Sequence, residues 1–276
     1  MKNIALFLTA LCSLTLTLSA QVPKFVKKWE TPPTLKTPES VLYDAGARVL
    51  YVSNIDGMEP WAKDGKGSIA KVGLDGKVLM AEWVKGLEAP KGLGLYQGKL
   101  YVADLDHLVV IDVAKGVIAE RIAIDGAQRL NDVSIDRTGV VYITDSGTKK
   151  VFVVTKGKAA LYLENLQGPN GILAHGNDLY VLDAGALLKV GKNKSLMTIV
   201  DGMEGHTDGI EHVKGNEFIV SCWLGVIYYV AGKEKTLLLD TRPQSVHSAD
   251  IGYDAKNRIV YVPTFFTNTV VAYELR

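Results

Sequence analysis

Cysteine is almost absent from this sequence, which has 276 residues and only Cys12 and Cys222. Cys12 lies in an apolar N-terminal segment, so a chain cleaved after that segment would keep one thiol. One thiol cannot form an internal disulfide, and the stability of the folded chain must then come from a hydrophobic core. We predict that Cys222 is a small buried residue of that core.

An excess of charge of one sign is also absent. Lys and Arg total 31, Asp and Glu total 30, and the formal net charge is +1. The basic residues are spread along the chain without a run. This balance argues against nucleic acid or an anionic membrane surface as the main partner. We expect a small-molecule substrate or ligand, and the sequence leaves the oligomeric state open.

Long hydrophobic runs are missing everywhere except at the N-terminus. There, Lys2 precedes an apolar run from Ile4 to Leu18, shorter than the roughly 20 residues of a membrane span. A basic start, a short apolar run and a small residue at its end are typical of a secretory signal peptide; the alternative is a buried N-terminal helix. We predict that residues 1–20 are a signal peptide and residues 21–276 a single domain. The protein would be exported to a periplasm or the extracellular space, without membrane association after cleavage.

A sustained helical period of 3.6 residues is lacking as well, and the chain shows a longer repeat instead. One phrase occurs six times, at intervals of 50, 41, 38, 39 and 42 residues. The copies are LYVSNI from Leu50, LYVADL from Leu100, VYITDS from Val141, LYVLDA from Leu179, FIVSCW from Phe218 and VYVPTF from Val260. Each copy is followed by a second alternating run, with turn-forming residues between the two. This pattern indicates β-hairpins.

Two further strands accompany the hairpins. A shorter strand precedes every copy of the phrase, as in ESVLYD from Glu39, and another run often follows the hairpin, as in LMAEWV from Leu79. Four strands in each of six repeats of about 40 residues predict an all-β fold, a six-bladed β-propeller. A β-sandwich could use similar strands, but it gives no reason for a repeat at this period.

The ring of blades must close, because an open ring would leave an unpaired edge. Too few residues follow Val260 for a complete last blade, whereas the strand-like segment KFVKKWET, Lys24 to Thr31, has no blade of its own. We predict that this N-terminal segment pairs with the C-terminal strand in the last blade. The longest insertion, Asn54 to Gly67, is either a solvated loop or a lid over the axial pocket.

The residues that open the innermost strands would point towards the propeller axis. They are Glu39, Lys91, Asn131, Asn170, Asp208 and Ala249, the last followed by Asp250. Two carboxylates and two carboxamides would thus converge, and Ca²⁺ binds such oxygens. Without a cation, the two carboxylates would repel each other and one pKa would rise. Zinc fits less well because no pair of His or Cys occupies equivalent positions. We therefore predict one divalent cation, Ca²⁺, at the axis.

Structural alternatives exist for these residues. Asp-Gly pairs such as Asp208-Gly209 commonly shape turns, and Asp208 alone would fit that role. We predict that the side chain of Lys91 points aside and is solvated; the alternative is that it faces the axis, where it would pair with Glu39 or bind a substrate carboxylate.

Two roles are possible for each of four other side chains near the predicted axial mouth. His206 and His247 lie close to the rim, where a histidine more often forms surface hydrogen bonds than takes part in catalysis. Phe265 and Phe266 either wall the pocket or pack in the core.

The same motifs make the chain resemble the SMP-30/gluconolactonase/LRE-like family of six-bladed β-propellers. PESVLYD resembles the first-blade motif of that family, with Glu39 and Asp44 at the family's spacing, although Ser-Val-Leu-Tyr replaces the usual Gly-Pro-Val-Trp. RLNDVSID from Arg129 is similar to its Arg-x-Asn-Asp motif, GPNGI from Gly168 to Pro-Asn-Gly, and TDGI from Thr207 to Pro-Asp-Gly. The resemblance covers essentially the whole chain after the predicted signal peptide.

The resemblance implies a divalent metal, commonly Ca²⁺, held by Glu39, Asn170 and Asp208. It also implies that Asn131 binds substrate or water beside the metal and that Arg129 orients the substrate. The implied activity is hydrolysis of a sugar lactone or a similar small ester, in which the metal polarises the carbonyl and Asp208 is the general base. The alternative is a non-catalytic propeller that binds a small ligand or a protein at its axial mouth.

Overall fold

A computed structural model of the protein describes residues 22–276. The predicted signal peptide and Cys12 lie outside these residues. The described chain contains 24 β-strands and two 3-10 helices, Arg242–Gln244 and Phe265–Thr267. Between residues 22 and 276 there is no helix with the length and apolarity needed to cross a membrane.

The strands form six antiparallel sheets of four strands each. The chain starts with β1 (Phe25–Glu30), which joins the last sheet, and the next twenty strands build five blades in sequence order. The first blade contains β2 to β5 (Pro38–Asp44, Val49–Asn54, Gly67–Gly73, Val78–Leu87). The second contains β6 to β9 (Pro90–Tyr96, Lys99–Asp104, His107–Asp112, Val117–Ala123). The third contains β10 to β13 (Leu130–Ile135, Val141–Asp145, Lys150–Thr155, Lys158–Leu163). The fourth contains β14 to β17 (Pro169–His175, Asp178–Asp183, Ala186–Val190, Leu196–Val200). The fifth contains β18 to β21 (Thr207–Lys214, Glu217–Cys222, Val226–Ala231, Glu234–Asp240).

The sixth blade joins the two ends of the chain. It contains β22 (Gly252–Asp254), β23 (Ile259–Pro263) and β24 (Val270–Leu275), and its strand order is β1-β24-β23-β22. β1 runs antiparallel to β24, with Phe25 opposite Leu275. The prediction of a six-bladed β-propeller closed by its N- and C-terminal strands is therefore confirmed.

Apolar side chains fill the spaces between neighbouring blades. The alternating faces of the blade strands supply them, because successive side chains of a strand point to opposite faces. Between the first and last blades, for example, Leu50 and Val52 pack in one cluster with Tyr261 and Val270. Cys222 is fully buried, as predicted, and has no disulfide partner among residues 22–276.

Trp29 fastens the closing strand to the first blade. Its Nε1 donates a hydrogen bond to the carbonyl oxygen of Leu74 at 2.9 Å. Its ring packs on Gly76 and lies 5.8 Å from the ring of Tyr261, centre to centre. A side chain of the last blade is thereby anchored in a turn of the first.

We expect Trp29→Ala to lower the free energy of unfolding by about 3 kcal/mol, because a large aromatic contact is lost, and the melting temperature by roughly 6–12 °C. Limited proteolysis should then cut β1 at Lys27 or Lys28. Trp83→Ala is the matched control, since Trp83 packs on Gly116 between the first two blades in the same way. That variant should also melt earlier but keep β1 protected; equal cleavage of β1 in both variants would contradict the role of Trp29 in ring closure.

Candidate functional site

Five inner strands bring their second residues to one cavity at the axis. These residues are Glu39 in β2, Lys91 in β6, Asn131 in β10, Asn170 in β14 and Asp208 in β18. All five line a cavity of about 500 Å³, which we call the mouth.

The sixth blade departs from this pattern, because β22 begins only at Gly252. Ala249 is fully buried, and the backbone N–H of Asp250 donates to the carbonyl oxygen of Glu39 at 2.9 Å. At this position the sixth blade therefore contacts the first blade through its backbone. Ala249 does not contribute a polar side chain to the mouth.

The two carboxylates of the mouth are deeply buried. Glu39 is 4% exposed and Asp208 is 3% exposed. Glu39 Oε2 and Asp208 Oδ1 have no hydrogen-bond partner among residues 22–276. Burial raises the pKa of Glu39 to about 8, with Lys91 opposing and Asp250 adding to the shift. Burial also raises the pKa of Asp208 well above its usual value, and the charge of Glu39 raises it further.

Neighbouring groups orient the two carboxamides. Nδ2 of Asn131 donates to Ser146 Oγ at 3.0 Å, and that hydroxyl donates to the carbonyl oxygen of Pro169 at 2.7 Å. Because the amide nitrogen of Asn131 is engaged, its Oδ1 is the group left for a ligand. A hydrogen bond from Asn170 to the carboxylate of Asp208 lowers the pKa of that carboxyl and partly opposes the effect of burial.

Lys91 also faces the axis, and the prediction that it is solvated is wrong. The residue is 2% exposed, and its ammonium lies 4.4 Å from the ring centre of Trp61 and 5.9 Å from that of Phe265. Burial lowers the pKa of this ammonium, whereas the charges of Glu39 and Asp208 raise it. The carboxylates draw the ammonium inwards, and the aromatic ring of Trp61 shields it from water.

The insertion between Asn54 and Gly67 covers part of the mouth. Pro60 and Trp61 line the cavity, while Met58 is 71% exposed on the outer side. Of the two alternatives for this insertion, the geometry matches the lid.

An aromatic wall completes one side of the mouth. Trp223 lies 4.2 Å from His247 and 5.8 Å from Phe265 between ring centres, and Phe265 meets Phe266 edge to face at 4.7 Å. Trp223 and Phe265 line the cavity, and Phe265 is also part of the buried core. Burial lowers the pKa of His247, which favours the neutral ring. His206 lines the same cavity but is exposed.

Arg129 lies at the rim and not in the cavity lining. Its side chain is exposed, and its guanidinium lies 5.8 Å from the ring centre of Trp61. Trp61 therefore contacts two cations, Lys91 inside the mouth and Arg129 outside.

Further acidic side chains lie deeper along the same inner strands. Asp132, Glu211 and Asp250 line a second cavity of about 210 Å³. Burial raises the pKa of each, that of Asp250 to about 7. Asp132 Oδ2 accepts the backbone N–H of Ile172 at 2.7 Å. The Ser40 hydroxyl donates to Asp250 Oδ2 at 2.5 Å.

The residues of the mouth fit a hard divalent cation. Three further acids line the axis below Glu39 and Asp208, whereas Lys91 supplies the one buried ammonium among the residues that line the upper cavity. Two carboxylate oxygens that have no hydrogen-bond partner in the described chain lie beside two carboxamides, and together they form a donor set of the kind that Ca²⁺ binds. No group of three or more His, Cys, Asp or Glu arranged for a metal occurs in the described chain; the proposed set differs because it includes carboxamides.

A repeated aspartate positions three of the axial residues and was missed in the sequence. Asp104, Asp145 and Asp183 end the second strands of blades two, three and four. Each accepts backbone N–H groups from the segment that leads into the inner strand; Asp104, for example, accepts that of Ala89 at 2.8 Å. The signal was the fifth residue of the repeated phrase, which is Asp in these three copies.

Comparison with known proteins supports the fold. No family model matches the chain, and no curated protein matches its sequence. The solved structures that it resembles include a candidate gluconolactonase, with TM-score 0.68 and 15% identity over 93% of each chain. They also include a streptogramin B lyase, with TM-score 0.66 and 10% identity over 92% of this chain and 98% of the lyase. A nidogen/laminin complex gives TM-score 0.63 and 16% identity over 79% of this chain and 84% of the matched one. At these identities the similarity establishes a shared β-propeller fold alone.

Proposed function

We propose that the protein is an exported hydrolase of a sugar lactone or a similar small ester, and that it works with one bound divalent cation, Ca²⁺. The observation that carries this proposal is the pair of buried carboxylate oxygens, Glu39 Oε2 and Asp208 Oδ1, that have no partner among the described residues of the same cavity. A buried acceptor without a partner is unfavourable, and a cation would satisfy both.

Glu39, Asn170 and Asp208 would hold the cation, and Asn131 would bind the substrate or a water beside it. When bound, the cation polarises an ester carbonyl and stabilises the negative charge that develops on its oxygen. The cavity of about 500 Å³ is within the range of small-molecule sites, and its aromatic side offers apolar contact to a sugar ring.

Asp208 would act as the general base. Its carboxylate takes a proton from the attacking water as the water oxygen bonds to the carbonyl carbon. The ester C–O bond then breaks, and the ring oxygen leaves with a proton, so that lactone and water give one hydroxy acid. Burial favours the protonated form of this carboxyl, and Asn170, Lys91 and the cation together favour the ionised form that a base requires.

Chelation tests this proposal directly. We expect a pH-stat assay on a panel of sugar lactones to show hydrolysis that chelator abolishes and added Ca²⁺ restores. The cation should also raise the melting temperature, since a ligand at 100 times its Kd stabilises a protein by about 2.7 kcal/mol. Hydrolysis that persists in protein shown by elemental analysis to be free of metal would contradict the proposal.

The raised pKa values add a signature that does not depend on turnover. Without the cation, Glu39 is mostly protonated at pH 7 because its pKa is about 8. Cation binding must therefore release protons, and affinity should rise with pH up to about 8. Calorimetry in buffers of different ionisation enthalpy measures this release. Cation binding with proton release, but without turnover on any lactone, would favour the alternative of a propeller that only binds a ligand at this mouth.

A further inference from the structure

The side chain of Lys91 is the feature of the mouth that lactone hydrolysis leaves unexplained. Its ammonium is buried at the same depth as the proposed cation ligands and lines the same cavity. Moving an ammonium out of water is unfavourable by several kcal/mol unless it is paired. The ring of Trp61 compensates for part of this penalty.

The nearby carboxylates have other partners once the cation is bound. Glu39 and Asp208 together carry two negative charges, which one divalent cation balances. The charge of Asp104 also raises the pKa of Lys91. That carboxylate, however, already accepts the backbone N–H groups of Glu88 and Ala89 and lies 3.6 Å from a nitrogen of Arg121. Asp132, Glu211 and Asp250 line the deeper, second cavity and not the cavity of Lys91. In the loaded site the positive charge of Lys91 is therefore not balanced by a carboxylate among the described residues that line its own cavity.

We infer that the substrate of this site is an anionic lactone, whose carboxylate binds the ammonium of Lys91 while its ester carbonyl faces Glu39 and Asp208. The inference rests on the proposed function and names the substrate class of that site. Lys91 and the cation ligands occupy the same position in neighbouring inner strands, so the carboxylate must be close to the lactone ring. The exposed guanidinium of Arg129, on the outer side of Trp61, would attract such an anion to the mouth.

Two lactones that differ in one group provide the test. Glucono-1,4-lactone carries a neutral CH₂OH where glucaro-1,4-lactone carries a carboxylate. With cation-loaded protein, we expect kcat/KM to be at least tenfold higher for glucaro-1,4-lactone. Lys91→Met should remove this preference, mainly by raising KM for glucaro-1,4-lactone, because a charge-assisted hydrogen bond is lost. Lys91→Arg should keep part of the preference, since it keeps the charge.

Lys63→Met is the matched control, because Lys63 lies in the insertion that carries Trp61 and its side chain is 66% exposed. This variant should keep the wild-type preference. Lys91→Met removes a buried charge at similar volume, so we expect it to fold, and thermal melting checks this. Equal losses on both lactones in Lys91→Met would overturn the inference.

Calorimetry separates this inference from the proposed function. If neither lactone is hydrolysed, the proposed function fails, but glucaro-1,4-lactone should still bind wild-type protein at least tenfold more tightly than glucono-1,4-lactone. Lys91→Met should remove that difference. Equal binding of the two lactones to the wild type would overturn the inference whether or not turnover occurs.

Discussion

Asp208→Asn is expected to reduce lactone turnover about 1,000-fold, within the range of a lost general base, while the protein remains folded. Asparagine has nearly the shape of aspartate and can still offer an oxygen to a cation, but it cannot accept the proton of the attacking water. The rates should be measured at a Ca²⁺ concentration that saturates both proteins, so that weaker cation binding does not enter the comparison.

The stability of Asp208→Asn should change in the opposite direction to its activity. The folded-state pKa of Asp208 is raised above its usual value, so the folded protein without cation holds this proton more tightly than the unfolded chain. Such a group destabilises the folded state progressively as pH rises above the unfolded pKa. At pH 8 and without cation, Asp208→Asn should therefore melt at a higher temperature than the wild type, and the difference should shrink towards pH 4.

Asp201→Asn makes the same chemical change in the segment just before β18, where Asp201 is exposed. It should keep wild-type turnover and melting temperature at both pH values. Normal turnover in Asp208→Asn would exclude Asp208 as the base.

The ring of six blades could be predicted because each blade repeats the same strand pattern. The closing strand followed from an unpaired N-terminal segment and an incomplete last blade. The burial of Lys91 could not be predicted, because it depends on where Trp61 lies, and the conformation of a long insertion is not encoded by a strand period. A lysine at the start of an inner strand is compatible with either orientation until that loop is placed.

The local sequence also suggests the wrong structural role for Gly209, the glycine that follows Asp208. Asp208-Gly209 looks like a turn, yet both residues lie inside β18. A Cβ on Gly209 would lie 2.5 Å from Asp250 Oδ1 and 2.5 Å from the backbone nitrogen of Ile251. The glycine is needed because the segment that leads into β22 passes so close to it. Such an approach is a property of the closed ring and cannot be deduced from one blade.

The same close approach makes Gly171 the residue whose substitution should most disturb the axis. Gly171 follows Asn170 in β14, and a Cβ at this position would overlap the carbonyl oxygen of Asp208 and lie 2.8 Å from Leu182 Cδ1. The first of these neighbours is backbone of the adjacent inner strand, which cannot rotate away as a side chain can. Gly171→Ala must therefore push apart the two strands that carry Asn170 and Asp208.

We expect Gly171→Ala to lower the free energy of unfolding by about 3 kcal/mol, at the upper end for overpacking, and the melting temperature by roughly 6–12 °C. Because the displaced strands carry two proposed ligands, the stabilisation by Ca²⁺ should fall as well. Gly57→Ala is the matched control, since the nearest atom to a Cβ there is 4.0 Å away, and it should change neither quantity. A Gly171→Ala protein with wild-type melting temperature and full Ca²⁺ stabilisation would show that β14 and β18 do not need this contact to form the site. A lower melting temperature with unchanged Ca²⁺ stabilisation would place the cation away from Asn170 and Asp208, because a site formed by these two strands cannot keep its affinity when they are separated.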